Sequence, residues 1–285
     1  MRLWLLLLAD GVVIGLAAAA VRCQLALFSG FDLGIAVAVL LAAETGVAVA
    51  NVVVGGLGWD AILSCLAALL VGATFMVAWN LTLEGLRARR GGAAPTFVIS
   101  LGAVSVVAGG IGLLRGPGLR STQGLGSVEL ASGRLSLSVV LACLVGVGAI
   151  FILLSWARKG SGLALELLGQ DREFALEIGV ESRELLVASG VAVGLSLGFV
   201  GWHYAWSSGS TPVLGFTTFL MATGGALLLP GKGLKSAVLG GILVGGARVL
   251  LEVLVDPVSS NALVFLAVFG LLLARGTSRT AQGAR

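Results

Sequence analysis

The sequence predicts an all-α, polytopic integral membrane protein of eight to nine transmembrane helices with short or re-entrant segments. Three observations lead there. Of 285 residues, 58% are hydrophobic and 11% charged, whereas a soluble domain carries about 25% charged residues; the mean hydropathy is +1.07. The apolar residues fall into long uninterrupted runs, the form a bilayer core demands. Glycine reaches 44 residues, roughly twice the usual share, as suits membrane helices that meet through small side chains.

Net charge (+4) and an isoelectric point near 9.4 would fit nucleic acid, but the basic residues flank apolar runs. That placement is the positive-inside pattern and excludes a nucleic-acid partner. Cys23, Cys65 and Cys143 stand singly in or near apolar runs, so they read as small packing residues and not as a disulfide or metal framework.

The first span covers residues 3–20. Arg2, a leucine run and an alanine-rich end imitate a secretory signal, but Asp10 in the apolar stretch and the many spans downstream mark a retained helix. A break at residues 25–34 precedes a second run to about residue 54. The third, 60–83, ends in Glu84, Arg87, Arg89 and Arg90, which places that loop in the cytoplasm. Pro95 opens the fourth, 96–114; the glycine-rich stretch 115–134 is then external, and 135–157 returns the chain to the cytoplasm.

Residues 158–183 form the longest polar interruption. Ser161 is placed to cap a helix over 162–168, Gly169 and Gln170 to break it, and Asp171 to cap a second helix with Glu173 in its first turn, where the helix dipole favours a carboxylate. Gly179 is expected to stop that helix in a left-handed conformation. Phe174, Ala175 and Ile178 group on an apolar face, apart from Arg172, Glu173 and Glu177.

The next span, 185–206, ends in Trp202, His203, Tyr204 and Trp206, expected to form an interfacial belt. His203, the one histidine, is expected to be structural. Residues 212–230 form a short interrupted segment, and Lys232 and Lys235 mark a cytoplasmic turn. Gly240-Gly241 and Gly245-Gly246 are spaced for close helix contact, and a last span, 262–274, leads to Arg275 and a polar tail, 276–285. The whole chain reads as one domain, 1–285. Nine spans put the N-terminus outside and the C-terminus inside; a re-entrant second segment gives eight with both ends inside. Each half contains an interrupted segment, near 29–34 and 212–230, as in helices broken beside a transport path.

Ionisable residues at membrane depth are functional candidates because an unpaired charge there is costly. Asp10, Asp32, Glu44, Arg248 and Glu252 qualify. Arg248 and Glu252, four apart on one helix, are placed to pair; Asp10 and Asp32 lie near segment ends, where water reaches them; Glu44 has no local partner and can face a cavity or a neighbouring subunit. Residues 224–236 approach a phosphate-binding loop, but Ala226 stands where its first glycine is needed and Gly233 where its hydroxyl is needed. With that loop incomplete and no set of residues at catalytic spacing, the chain reads as a non-enzyme with no cofactor of its own.

The run Gly162-Leu163-Ala164-Leu165, then Gln170-Asp171-Arg172-Glu173, then Ala175 and Gly179-Val180 resembles the cytoplasmic coupling loop of the branched-chain amino acid permease family of ABC importers. Glu166 stands where that family usually has a basic residue, and Gly169 where it usually has alanine. The stretches 28–34 and 211–225 resemble its pore-side segments, and 97–102 its pattern after a basic loop, although an asparagine and a histidine common in the first are lacking, and Arg275-Gly276-Thr277 lacks the proline of its closing motif.

The resemblance implies a permease subunit in a bacterial inner membrane. It assigns coupling to Gly162, Ala164, Gln170, Asp171, Glu173, Ala175 and Gly179, and the border of the translocation path to Gly30, Asp32, Gly34, Gly215, Phe219, Gly224 and Gly225, to which the lone carboxylate Glu44 is added. The implied partners are a second permease, identical or homologous, two ATP-binding subunits that hold the ATP, an extracytoplasmic substrate-binding protein, membrane lipid and a small solute. Branched-chain or other amino acids, amides or urea are the implied cargo. A self-sufficient ion-coupled transporter or channel is the rival reading.

Overall fold

The computed structural model describes residues 2–28, 30–53, 59–90, 94–116, 118–120, 127–130, 133–170, 172–180, 182–231, 233–255 and 259–270. In chain order they form α1 (Arg2–Phe28), α2 (Gly34–Val52), α3 (Trp59–Arg90), α4 (Ala94–Arg115), β1 (Ser127–Leu130), β2 (Gly133–Ser136), α5 (Leu137–Ala157), α6 (Gly160–Gln170), α7 (Arg172–Glu177), α8 (Ser182–Ser207), α9 (Leu214–Leu228) and α10 (Leu234–Leu254). An apolar helix, α11, follows at Ser259–Gly270. Seven of these, α1 to α5, α8 and α10, are long and apolar enough to cross a membrane, while α9 and α11 are shorter. The chain is a multi-pass membrane protein. At 1.5 Å per residue, the 15 residues of α9 reach about 22 Å, short of the ~30 Å hydrocarbon layer.

α1 is the axis of the bundle. It packs against α10, α5, α9, α8 and α6, and every residue from 9 to 21 is buried, as expected for a helix apolar on all sides. The predicted end at residue 20 falls short, because Arg22 and Gln24 continue the helix as buried or half-buried polar positions. Gln24 Nε2 donates to Asn80 Oδ1 at 3.0 Å, and Asn80 Nδ2 donates to the Leu186 carbonyl at 3.2 Å, so a hydrogen-bonded chain links α1, α3 and α8, with Gln24 Oε1 left unpaired.

Two glycine seams bring helices together. On α8, Gly190, Gly194 and Gly198 recur every fourth residue and face α3: a Cβ at Gly198 would lie 2.6 Å from the Ala68 carbonyl oxygen, and one at Gly194 would overlap the Gly72 carbonyl. On α10, Gly241 and Gly245 meet Gly15 and Asp10 of α1, while Gly246 faces open space. Close backbone approach of this kind is how membrane helices associate where lipid supplies no hydrophobic drive. Both seams run antiparallel, which places α6 and α7 at the same end of the bundle as the arginine-bearing end of α3.

In the loop between α4 and α5, Ser127 pairs with Ser136 and Leu130 with Gly133 in an antiparallel hairpin, so the described chain is helical with one small β-hairpin. Two expectations are corrected here. The aromatic cluster at the end of α8 is not an interfacial belt, since Trp202, His203 and Tyr204 are 1–3% exposed. The indoles and the tyrosine hydroxyl find partners inside the protein: Trp202 Nε1 and Trp206 Nε1 each donate to Ser64 Oγ at 3.1 Å, and the Tyr204 hydroxyl donates to Asp10 Oδ1. Finally, α6 begins at Gly160 and runs to Gln170, so Ser161 lies within its first turn, and Gly169 and Gln170 do not break it.

Candidate coupling surface and buried polar clusters

The chain leaves α5 through a tight turn. The Gly162 amide donates to the Lys159 carbonyl at 3.0 Å, and a Cβ at Gly162 would overlap the backbone of Ala157, so this turn needs glycine. α6 then packs on α1, α5 and α8, and α7 on α6. Leu165, Leu168 and Ala175 point inward and are buried, whereas Leu163, Phe174 and Ile178 are 48–59% exposed. Phe174 and Ile178 thus part from Ala175, with which the sequence had grouped them. Ala164 is half-buried.

α7 closes as predicted. Gly179 has φ +84°, and the Val180 amide donates to the Ala175 carbonyl at 3.0 Å while the Ile178 amide donates to that of Phe174 at 3.1 Å. The first is the six-to-one bond of a Schellman cap, in which a left-handed residue ends the helix. Asp171 lies outside the described residues; Gln170 and Glu173 are placed on α6 and α7 by their backbones. Among the described residues, this helix pair thus exposes the apolar side chains Leu163, Phe174 and Ile178 beside Glu177 at the basic end of the protein, and exposed apolar side chains grouped in this way are what a partner protein covers.

Inside the bundle, the two segments expected beside a path lie together. Gly215, on α9, packs so closely on Ala36 and Leu40 of α2 that a Cβ there would overlap the Ala36 carbonyl. Ser210, just ahead of α9, donates to Glu44 Oε1 at 2.7 Å, and Arg115 Nη1 donates to Glu44 Oε2 at 3.1 Å. Glu44 therefore has two partners, 166 and 71 residues away, where the sequence offered none. Arg120 and Ser210 exchange backbone hydrogen bonds of 3.0 and 2.7 Å, which ties the segment after α4 to the connection between α8 and α9. Gly30 is half-exposed and Phe219 buried; Gly224 faces Val268 of α11, and Gly225 faces Gly241 of α10.

Asp32 is 2% exposed, which corrects the expectation that water reaches it. Its Oδ1 accepts the Gly34 amide at 2.8 Å and the Trp79 indole N–H at 2.9 Å. Gly34 makes this approach feasible, because any Cβ there would overlap the Trp79 ring. The carboxyl lies in the connection between α1 and α2, outside both spans, and burial pushes it up to about 6 against the pull of those two donors. Replacing Trp79 by Phe removes one donor from a buried carboxylate, which costs about 2 kcal/mol. Removing a bond that favours the charged form raises the carboxyl further. The penalty is therefore expected to be small at pH 5, where Asp32 is largely protonated, and full at pH 8. Thermal melts of the two proteins at both pH values measure it; an equal penalty at each would show that the indole does not serve the carboxylate.

A third cluster joins α1, α8 and α10, and the sequence did not foresee it. Arg248 Nη1 lies 3.3 Å from Asp10 Oδ1, and Nη2 lies 2.8 Å from Glu252 Oε1. The Tyr204 hydroxyl is 3.2 Å from Asp10 Oδ1 and 3.3 Å from Arg248 Nη1, with the guanidinium 5.6 Å from the Tyr204 ring centre. The predicted Arg248–Glu252 pair is present, but Asp10 is a buried member of the same network and not a wetted residue at a segment end. His203 packs against the Tyr204 ring at 5.6 Å. Among the described residues no group of three metal-ligating side chains occurs.

No family model and no curated protein matches the chain. Among solved structures it is similar to a chain of PsaBC from Streptococcus pneumoniae in complex with Fab, with 16% identity over 94% of this chain and 90% of that one, and a TM-score of 0.51. At that identity the likeness speaks for the fold.

Proposed function

We propose that the chain is the permease subunit of an ABC importer. The observation that carries the reading is the α6–α7 pair: two short helices, anchored by Leu165, Leu168 and Ala175, present Leu163, Phe174 and Ile178 outward at the basic end, in the segment whose sequence resembles a coupling loop. The ABC-permease-like fold indicated by the likeness to PsaBC supports it. In this reading a separate ATP-binding subunit seats on that patch, and its closure moves α6 against α1, α5 and α8, the helices it touches. A rigid pair with a fixed Schellman end transmits a push that a flexible loop would absorb.

The solute is a small polar molecule, and the branched-chain family resemblance favours amino acids, with amides or urea next. The chain supplies no ATPase site, since residues 224–236 lack the glycine and hydroxyl that a phosphate loop requires. A second permease and an external substrate-binding protein complete the assembly in the bacterial inner membrane. The path runs along α2 and α9, past the Gly215 contact with Ala36 and Leu40 and the Ser210–Glu44 hydrogen bond.

Purification of the intact chain from native membranes in mild detergent tests this, with Asp171→Ala/Glu173→Ala as comparison. Wild type is expected to bring down an ATPase carrying a phosphate-binding loop, and the variant to lose most of it. Wild type that recovers no ATPase, and transports alone under an ion gradient, would instead establish the ion-coupled reading.

A further inference from the structure

One apolar surface is used by none of these roles. α3 and α5 each pack on α8, and between them a strip of α8 stays open, with Val187, Val191 and Leu195 37–40% exposed. The cleft above it has a volume of about 580 Å³, walled by Leu69 of α3 and by Val145, Ile152 and Trp156 of α5, with Ala188 and Ala192 at its floor. Ile152 and Trp156 also border a second space of about 440 Å³ that reaches Ser155 and Lys159. In the other direction Val145 and Phe199 lead into a narrow end of about 160 Å³ beside Cys65 and Leu141. Shared lining residues make the three spaces adjoining stretches of one surface along α5. From Leu141 to Lys159 along α5 it measures about 27 Å, close to the ~30 Å hydrocarbon thickness.

Three features select its occupant. The walls are apolar throughout their middle, with Ser196 as the one hydroxyl residue bordering the central cleft. The basic-end mouth is lined by Lys159, the adjacent Arg158 is exposed, and Arg183 and Glu184 are exposed at the start of α8, so three of these four described residues are cations. Trp156 stands at that level, where indoles favour the headgroup region. The space beside Cys65 and Leu141, about 160 Å³, has no room for a turn of a partner helix 10–12 Å across, whereas the end of an acyl chain fits it. We propose that this groove binds one anionic phospholipid from the leaflet at the basic end, its phosphate between Lys159 and Arg158 and one acyl chain along α8 between α3 and α5. The proposal requires that the chain cross a membrane and does not depend on what it transports.

The test uses the purified full chain, delipidated in detergent, with phosphatidylglycerol or phosphatidylcholine of identical acyl chains added back. Native mass spectrometry and thermal melts follow binding. Phosphatidylglycerol is expected to stay bound and to raise the melting temperature several degrees more than phosphatidylcholine does. Arg158→Gln/Lys159→Gln should weaken phosphatidylglycerol binding roughly 30-fold, at about fivefold per basic residue, and weaken phosphatidylcholine, whose choline offsets its phosphate charge, by a much smaller factor. Ala192→Phe, which fills the floor, should reduce occupancy by both lipids; should it fail to fold, the headgroup variant decides alone. Equal affinity for the two lipids in wild type, or an undiminished preference in the headgroup variant, overturns the proposal. So does a photoreactive side chain at position 191 that captures a protein segment in native membranes instead of lipid.

Discussion

Gly194→Leu in α8 is expected to abolish the folded, monodisperse protein, while Gly102→Leu in α4 leaves it intact. Both substitutions place the same side chain on an apolar span, so hydrophobicity and helix propensity cancel in the comparison. What differs is the space. A Cβ at Gly194 would overlap the Gly72 carbonyl and lie 2.5 Å from Ala73 Cα, both backbone groups of α3, whereas nothing lies within 4 Å of one at Gly102. Backbone cannot rotate away as a side chain tip can, so α3 and α8 must separate along their shared seam. Overpacking a core usually costs 1–3 kcal/mol; a forced separation of two backbones should cost about 3 kcal/mol or more, a large part of a typical stability of about 5–15 kcal/mol. Gly102→Leu should fall within about 1 kcal/mol of wild type, because removing an exposed helical glycine recovers some backbone entropy. Fluorescence-detected size exclusion in mild detergent, followed by melting curves, reads both. A Gly194→Leu protein that elutes and melts like wild type would mean that the seam is looser than the geometry states.

What the sequence made legible is what local chemistry decides. The long spans, the basic end, the helical pair within 158–183 and the left-handed stop at Gly179 each follow from residues within a few positions of one another. The glycines of α10 were legible as contact residues from their spacing, and Gly240, Gly241 and Gly245 do meet neighbouring helices. The errors at the buried polar positions share a different cause, a partner far away in the chain. Trp202 and Trp206 suggested the membrane interface because an indole N–H inside a bilayer usually lacks an acceptor; Ser64, on α3, supplies one to both. The first span was drawn too short because Arg22 and Gln24 look like a helix end, and nothing nearby announces that Asn80 will accept from Gln24. The path residues were legible as interrupted segments, but their contact through Ala36 and Gly215 is a fact of packing that spacing does not carry.

The Asp10–Arg248–Glu252 network is the clearest case of such a distant partner, and its asymmetry makes the second large prediction. Removing one member of a buried ion pair typically costs 3–5 kcal/mol, because the survivor is left buried and uncompensated. Arg248→Met should cost that much: Asp10, with its side chain 12% exposed, would retain only the Tyr204 hydroxyl at 3.2 Å and gain no replacement cation among its described contacts. Asp10→Asn should cost less, about 1–2 kcal/mol, because Arg248 keeps Glu252 at 2.8 Å and the amide can still accept from Tyr204. Arg248→Lys should resemble Arg248→Met more than wild type, since one ammonium cannot serve two carboxylates and the Tyr204 hydroxyl as a planar fork does. The double variant Asp10→Asn/Arg248→Met removes the stranded charge along with its partner, so it should be more stable than Arg248→Met alone, with a coupling energy of about 1–3 kcal/mol. Melting curves of the four proteins in one detergent close the cycle. If Asp10→Asn proves as costly as Arg248→Met, or if the two effects simply add, Arg248 is held by Glu252 alone and Asp10 is not its charge partner. A cycle that closes as expected would make this network the fastening of α1 to α8 and α10, the contact that any movement of the central helix has to break.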